Sequence, residues 1–248
     1  MAGARERESI LVIGAGGRTG AFATRYLCAA AVPVIACVRR ANSLPAEPLL
    51  AGAEVALANL ERPDTIAPLI ERAAHVIYLA GSERRSLSPG AWQLEIDALS
   101  ASLEIARRTG FDGRWIYVSY SGGEQRGGAT WAETRWRELK AEAEQAIAAT
   151  DLNYFMLRTG RITGPVHSEP TVIVSQHSGT SADAELPCNA LAFMLVGAAL
   201  AGATHRSKAT VRLDTHGVKL QDAVQAFTRL RTDGAATADT ATTLSGRV

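Results

Sequence analysis

Three glycines spaced three residues apart form the segment of the sequence with the clearest chemistry. Gly14, Gly17 and Gly20 follow the short apolar run 10–13 and precede apolar residues that recur at helical spacing. In such a turn the first glycine allows a tight bend, the second lets backbone N–H groups approach a pyrophosphate, and the third lets helix and strand pack closely. The helix N-terminus adds a partial positive charge that favours the anion. The segment therefore predicts a dinucleotide site; the alternative is a glycine-rich loop without a ligand.

Two arginines follow the second apolar run, at the position that selects between the two common dinucleotides. A protein that prefers NAD usually places an acidic side chain there, which bonds the ribose 2′-hydroxyl. Arg39 and Arg40 would instead pair with a 2′-phosphate, and Arg18 could reach the same group. These residues predict NADP(H), unless Arg39 and Arg40 are only a solvated strand end.

The loops after the third and fourth apolar runs complete the predicted nucleotide site. We expect Asn59 to bond the adenine edge, with Leu60 beside it, and Ala80 and Gly81 to form a small-residue floor under the cofactor. The residues predicted from these segments to bind the cofactor are Gly14, Gly16, Gly17, Arg18, Thr19, Gly20, Arg39, Arg40, Asn59, Leu60, Ala80 and Gly81.

The elements that must position these residues alternate between short apolar runs and helical patterns. This alternation predicts an α/β Rossmann fold, a doubly wound parallel sheet, in a single domain over residues 9–232. The tails 1–8 and 233–248 lack apolar periodicity and are expected to be flexible. The elements after residue 160 predict a small cap on the substrate side. The predicted strands are 10–13, 32–38, 54–57, 76–79, 115–118, 154–157, 172–174 and 210–213. The predicted helices follow the glycine turn and Pro187 and cover about 63–73, 89–109, 131–149 and 220–230.

Composition excludes several other classes of protein. The 248 residues carry a net charge of only +1, so no general field attracts nucleic acid or an anionic membrane. No apolar run is long enough to cross a bilayer, and the first residues do not have the pattern of a signal peptide. The three cysteines form no CxxC pair and the five histidines have no metal-ligand spacing. We therefore expect a cytoplasmic protein without a metal.

An ordered set of motifs resembles the short-chain dehydrogenase/reductase superfamily, specifically its extended and atypical branches, which include the NmrA-like proteins. The motifs span about two-thirds of the chain in the family's order. The resemblance implies an NAD(P)-binding protein that acts on a small-molecule substrate. The matching segments are VIGAGGRTG at 12–20, CVRR at 37–40, YLAG at 78–81, YVSYSG at 117–122, Lys140 with Glu144, and LRTGRITGP at 157–165.

The same resemblance identifies candidate catalytic residues and one substitution among them. Ser121 takes the family's serine position and Lys140 its lysine position, where it can also bond the nicotinamide ribose. The tyrosine position, four residues before the lysine, is Trp136. An indole N–H donates but does not lose its proton near neutral pH, so Trp136 cannot replace the phenol as acid or base. Tyr120, just past the predicted fifth strand, is an alternative proton donor, as is His167 in the loop after Gly160.

Three functions are compatible with this substitution. The chain could be an NADPH-dependent oxidoreductase that takes its proton from another group. It could be a redox-neutral enzyme, an isomerase, dehydratase or cyclase, that retains the cofactor. It could also be a non-catalytic NADP(H) sensor that binds a regulatory partner. The resemblance leaves open whether the chain forms a homodimer, for which helices 89–108 and 131–149 are the family's usual contact.

Overall fold

The fold was analysed in a computed structural model. It describes residues 8–40, 52–81, 96–120, 131–168, 170–175, 185–201, 206–213 and 216–227. Ser121, the first part of the predicted helix 89–109 and both expected tails, except for Glu8, lie outside these residues.

Short apolar runs become strands and the longer amphipathic segments become helices, as the periodicity predicts. The strands are β1 (Ser9–Ile13), β2 (Val34–Val38), β3 (Glu54–Leu57), β4 (Ala73–Tyr78), β5 (Arg114–Tyr120), β6 (Asn153–Thr159), β7 (Arg161–Thr163), β8 (Thr171–Ser175), β9 (Glu185–Pro187), β10 (Ser207–Leu213) and β11 (Val218–Lys219). The helices are α1 (Arg18–Ala29), α2 (Ala67–Arg72), α3 (Ala98–Arg108), α4 (Trp131–Ala148), α5 (Cys188–Leu200) and α6 (Leu220–Phe227).

Nine of the strands form one twisted sheet in the order β11-β8-β10-β6-β5-β4-β1-β2-β3. All pairings from β3 to β10 are parallel, so these strands end at the same edge. The order reverses between β1 and β4, which is the switch point where doubly wound sheets open a crevice for a ligand. The predicted Rossmann-type sheet is confirmed.

Two apolar cores cover the two faces of this sheet. On one face, Leu27 of α1, Leu191 of α5 and Phe227 of α6 pack against the strands. On the other face, the packing comes from α2, α3 and α4, with Leu103 and Ile147 among the buried side chains. Because both faces are covered, the central strands are buried almost continuously, as expected for a parallel sheet.

The strands after residue 160 differ in part from the expected cap. β10 pairs in parallel with β6, and β8 and β11 then continue the main sheet as antiparallel strands. The physical reason is that β6 would otherwise present a row of unpaired backbone groups. Only β7 and β9, among the strands described after residue 160, form a separate two-stranded sheet.

Two predicted boundaries near β4 are wrong. β4 begins at Ala73, three residues before the predicted start, because Ala73 pairs with Ser9 of β1. The predicted helix 63–73 is divided into a 3₁₀ turn, Pro63–Thr65, and the short helix α2. None of the described helices combines the length and hydropathy needed to cross a membrane.

Candidate functional site

A pocket of about 230 Å³ lies at the carboxyl ends of the first four strands. Each of the loops that follow β1, β2, β3 and β4 contributes to its wall, so the pocket occupies the switch point of the sheet. Of the predicted cofactor residues, seven line it: Gly14, Gly17, Arg39, Asn59, Leu60, Ala80 and Gly81. The other lining residues are Ile13, Cys37, Val38, Ala58 and Leu79.

The glycine turn is too crowded for side chains at two positions. Gly14 has a φ of +89°, and a Cβ atom there would lie 2.8 Å from the backbone nitrogen of Ala80. A Cβ atom at Gly20 would lie 2.2 Å from the carbonyl oxygen of Gly14. Gly14 therefore permits the bend beside the end of β4, and Gly20 permits α1 to pack against the turn.

The N-terminus of α1 has the chemistry of an anion site. Gly17 is its N-cap residue and supplies no capping side chain, and no acidic residue occupies the first turn. The N–H groups of a first helical turn have no acceptor within their own helix. Gly17 itself lines the pocket, so these donors and the helix dipole meet at the pocket wall. This cradle fits the pyrophosphate of a dinucleotide.

The polar side chains around the pocket differ in how they are held. Arg39 is exposed and lines the pocket, whereas Arg40 and Arg18 are exposed but not part of the lining. Asn59 is held more firmly, because its Oδ1 accepts a hydrogen bond from the N–H of Glu61 at 3.2 Å. Its backbone N–H and carbonyl both bond the hydroxyl of Thr65. Arg39 is thus the predicted 2′-phosphate ligand that directly borders the pocket.

A second group of polar and aromatic side chains joins β5 to α4. The rings of Tyr120 and Trp136 meet edge to face with centroids 4.6 Å apart. The Lys140 Nζ donates a hydrogen bond to the Tyr117 hydroxyl at 3.2 Å and lies 5.8 Å from the centre of the Trp136 ring. The structure therefore brings together three of the four predicted catalytic residues; the fourth, Ser121, lies outside the described residues.

Two details of this cluster bear on the sequence predictions. Tyr120 is the last residue of β5, not a residue past its end as predicted, because β5 pairs with β6 as far as Thr159. Trp136 is half-buried, and its indole nitrogen lies buried without a hydrogen-bond partner among the described residues. The buried hydroxyl of Ser119 on β5 is in the same situation. The proximity of Trp136 to Tyr120 and Lys140 favours a place for the indole in the cleft, and this position in the cleft stays a prediction.

Family comparison adds to this geometry. A family model described as NAD(P)H-binding matches residues 14–200. The chain belongs to the NAD(P)H-binding family. No curated protein matches the sequence. This membership confirms that the chain is an NAD(P)-binding protein, as the resemblance implies.

Solved structures with the same fold come from proteins of low sequence identity. A putative NAD-dependent epimerase/dehydratase from Bacillus halodurans is 20% identical, with a TM-score of 0.74 over 88% of this chain and 99% of that one. ChuY, an anaerobillin reductase from Escherichia coli, is 19% identical, with a TM-score of 0.67 over 84% and 98%. A short-chain dehydrogenase/reductase from Veillonella parvula, solved with NADP, is 15% identical, with a TM-score of 0.67 over 83% and 94%. These structures establish that this chain shares their fold.

In this member of the NAD(P)H-binding family, Tyr117 also contacts Lys140, although the sequence does not predict it as a site residue. The residue stands inside an apolar run, so its ring reads as core, and the ring is indeed buried. The sequence did contain a sign of a polar face on this strand, because Tyr117 and Ser119 are two residues apart and therefore share one face.

His167, the other predicted proton donor, is exposed in the loop after β7. Within the described residues no cluster of three or more His, Cys, Asp or Glu side chains could hold a metal.

Proposed function

We propose that the chain is an NADPH-dependent oxidoreductase that acts on a small organic substrate. The observation that carries the proposal is that the nucleotide pocket and the Lys140 cluster share the carboxyl edge of one sheet. Tyr117 of the cluster pairs with Tyr78 at the end of β4, and Tyr78 pairs with Ile13, which lines the pocket. A dinucleotide that extends from the pocket along this edge would reach the cluster.

Each part of the site has a role in this proposal. The glycine turn and the first turn of α1 bind the pyrophosphate. Lys140 bonds the nicotinamide ribose. A bound NADPH would supply a hydride to the substrate, and the protein must supply the matching proton.

Discrimination between NADPH and NADH is assigned to the arginines after β2. Arg39 borders the pocket, so its guanidinium is placed to form charge-assisted hydrogen bonds with a 2′-phosphate. Arg40, next to Arg39, and Arg18, next to Gly17, are exposed and add positive charge. None of the described residues that line the pocket is acidic, so none of them would repel that phosphate.

The proton donor is assigned to Tyr120. Trp136 cannot exchange its proton near neutral pH, whereas a phenol can, and the Tyr120 ring contacts Trp136. Trp136 would then orient a substrate oxygen through its N–H. Ser121, the residue after Tyr120, would bond the same oxygen. Trp136 also supports the two other functions, a redox-neutral enzyme or an NADP(H) sensor, because it replaces the family's acid/base.

The experiment that tests this function measures binding and turnover separately. Calorimetry would give the affinities for NADPH and NADH, and the loss of NADPH absorbance would report turnover with a panel of quinones, flavins and enones. We expect NADPH turnover with at least one acceptor, and a Tyr120→Phe variant that binds NADPH normally but turns over more slowly. A Tyr154→Phe variant, which loses a buried phenol elsewhere, is the matched control. Tight NADPH binding without turnover across the panel would reject the oxidoreductase in favour of the sensor or the redox-neutral enzyme.

We also propose a cellular compartment for the protein, from the state of its cysteines. Cys28, Cys37 and Cys188 are all free thiols, and burial raises the pKa of the Cys37 thiol to about 11, so it stays protonated and unreactive. Thiols of this kind are compatible with the reducing cytoplasm that we propose.

A further inference from the structure

The hydroxyl of Tyr117 is a polar group beside the site that does not belong to any of the residues predicted from the sequence. It accepts a hydrogen bond from the Lys140 ammonium at 3.2 Å, and the same ammonium lies 5.2 Å from the centre of the Tyr117 ring. Tyr117 is 2% exposed and stands on a central strand that is paired on both sides. A rigid phenol therefore contacts a lysine whose flexible stem has four rotatable bonds.

The strand register gives the height at which this contact occurs. Ile13, Tyr78 and Tyr117 lie in one row across β1, β4 and β5. Ile13 lines the pocket and precedes Gly14, the first residue of the glycine turn, so this row lies at the level of the nucleotide pocket. The Tyr117 hydroxyl thus holds the Lys140 ammonium at the level where the nucleotide pocket opens.

The neighbouring carboxylate on α4 is directed elsewhere. Glu144, one turn after Lys140, is buried and forms an ion pair with Arg158 of β6. Tyr117 on β5 is thus one partner of Lys140, and Glu144 is directed away from this contact. An ammonium has three N–H donors, so a bond to Tyr117 is compatible with a second bond to a ribose hydroxyl.

We propose that Tyr117 is a positioning residue for the cofactor: it orients the Lys140 ammonium toward the nicotinamide ribose of NADP(H). This inference rests on the proposed function, which assigns that ribose to Lys140. Tyr117 acts through Lys140 and does not itself contact the cofactor. Its effect must therefore depend on the presence of the lysine and must be confined to the nicotinamide half of the dinucleotide.

The test uses Tyr117→Phe, which keeps the ring and removes only the hydroxyl. We expect the affinity for NADPH to fall about threefold to tenfold, the range for one hydrogen bond. The affinity for adenosine 2′,5′-bisphosphate, which keeps the 2′-phosphate and one 5′-phosphate but has no nicotinamide ribose, should not change. In a Lys140→Met background, Tyr117→Phe should have no further effect on NADPH affinity. A merely structural role for Tyr117 would lower both affinities and would do so in either background.

The control is Tyr154→Phe, which removes the hydroxyl of another buried tyrosine, near the amino end of β6. It should leave both affinities unchanged, while thermal unfolding checks that all variants fold. Two results would overturn this inference alone. In the first, the wild type binds NADPH and Tyr117→Phe binds it with the same affinity. In the second, Tyr117→Phe lowers NADPH affinity as much in the Lys140→Met background as in the wild type. A wild-type protein that binds neither ligand would overturn the proposed function, and this inference with it.

Discussion

The two ends of the parallel strands present polar side chains in opposite ways. At the amino end, β5 begins with Arg114, whose guanidinium donates to the Ala198 carbonyl at 2.9 Å and the Ser207 hydroxyl at 3.2 Å. The guanidinium also lies 5.0 Å from the centre of the Phe155 ring. At the carboxyl end of the same strands, the polar groups surround an open pocket and a cluster at its side.

Burial explains the difference between these ends. Arg114 is fully buried, which lowers the pKa of its guanidinium to about 10, so it remains charged at neutral pH. The charge is compensated by a carbonyl in the last turn of α5, where a helix dipole favours a cation. Its contacts are with the protein itself, and a group used in this way contributes to folding. Arg39, exposed beside the pocket, is available to a ligand.

The largest effect is expected at the amino end, from Gly113→Ala. A Cβ atom at this position would lie 1.7 Å from the carbonyl oxygen of Ala74, so β4 and β5 would have to move apart. We expect the free energy of unfolding to fall by about 3 kcal/mol, measured by urea denaturation. Gly164→Ala is the control, because a Cβ atom there meets nothing within 4 Å. Equal stability of the two variants would contradict the packing at this end.

Gly17→Val probes the carboxyl end. A Cβ atom at Gly17 would lie 3.3 Å from the Gly14 carbonyl, a contact that a small shift relieves, so the fold should persist. The isopropyl group would occupy the space through which the helix N–H groups meet the pyrophosphate. We expect NADPH affinity to fall by about two orders of magnitude, or about 2.7 kcal/mol, by calorimetry. Wild-type affinity in this variant would remove the turn from the phosphate site.

Arg39→Ala should have a smaller and more selective effect. Loss of the charge-assisted hydrogen bonds to the 2′-phosphate should weaken NADPH binding about tenfold, or about 1.4 kcal/mol, and leave NADH binding unchanged. Arg62→Ala, at an exposed arginine outside the pocket lining, is the matched control. The comparison fails if the wild type binds NADPH and NADH equally.

The smallest effect concerns His75, which accepts a hydrogen bond at Nδ1 from the N–H of Arg114 at 3.0 Å. Burial and the Arg114 charge lower the pKa of this imidazole. As the pH falls, the imidazole is therefore protonated at a higher pH in the unfolded chain than in the folded protein. The folded protein should lose stability as the pH falls below about 6.5. His75→Asn keeps an acceptor but does not titrate, so it should reduce this pH dependence. Urea denaturation on both sides of this pH compares the two proteins, and identical profiles would contradict the prediction.

The nucleotide half of the site could be predicted because backbone geometry determines it. Only glycine fits at Gly14 and Gly20, so the residue types themselves report the turn, and the buried strand before it appears as an apolar run. The mainly parallel sheet follows from the alternation of such runs with helices. The place of Arg39 at the pocket could be predicted because it follows the end of β2 directly, and its role as a 2′-phosphate ligand stays a prediction.

The contacts of the Lys140 cluster could not be predicted in full, because they depend on which side chains of different strands and helices meet. The contact between Tyr117 and Lys140 joins residues 23 positions apart, and no spacing rule connects them. β7, β9 and β11 have two or three residues each, too few to show a period. The pairing of β10 with β6 likewise depends on an open strand edge, which a linear pattern does not show.

That pairing also bears on how the chain is made. β6 ends at Thr159, but its partner β10 begins only at Ser207, and α5 and α6 cover the same region of the sheet. During synthesis, the first six strands can pair before the strand that covers β6 has emerged. At 5–20 residues per second, the roughly fifty intervening residues take several seconds. For that time the emerging sheet has an exposed edge at β6, and neighbouring chains on the same messenger could pair with it.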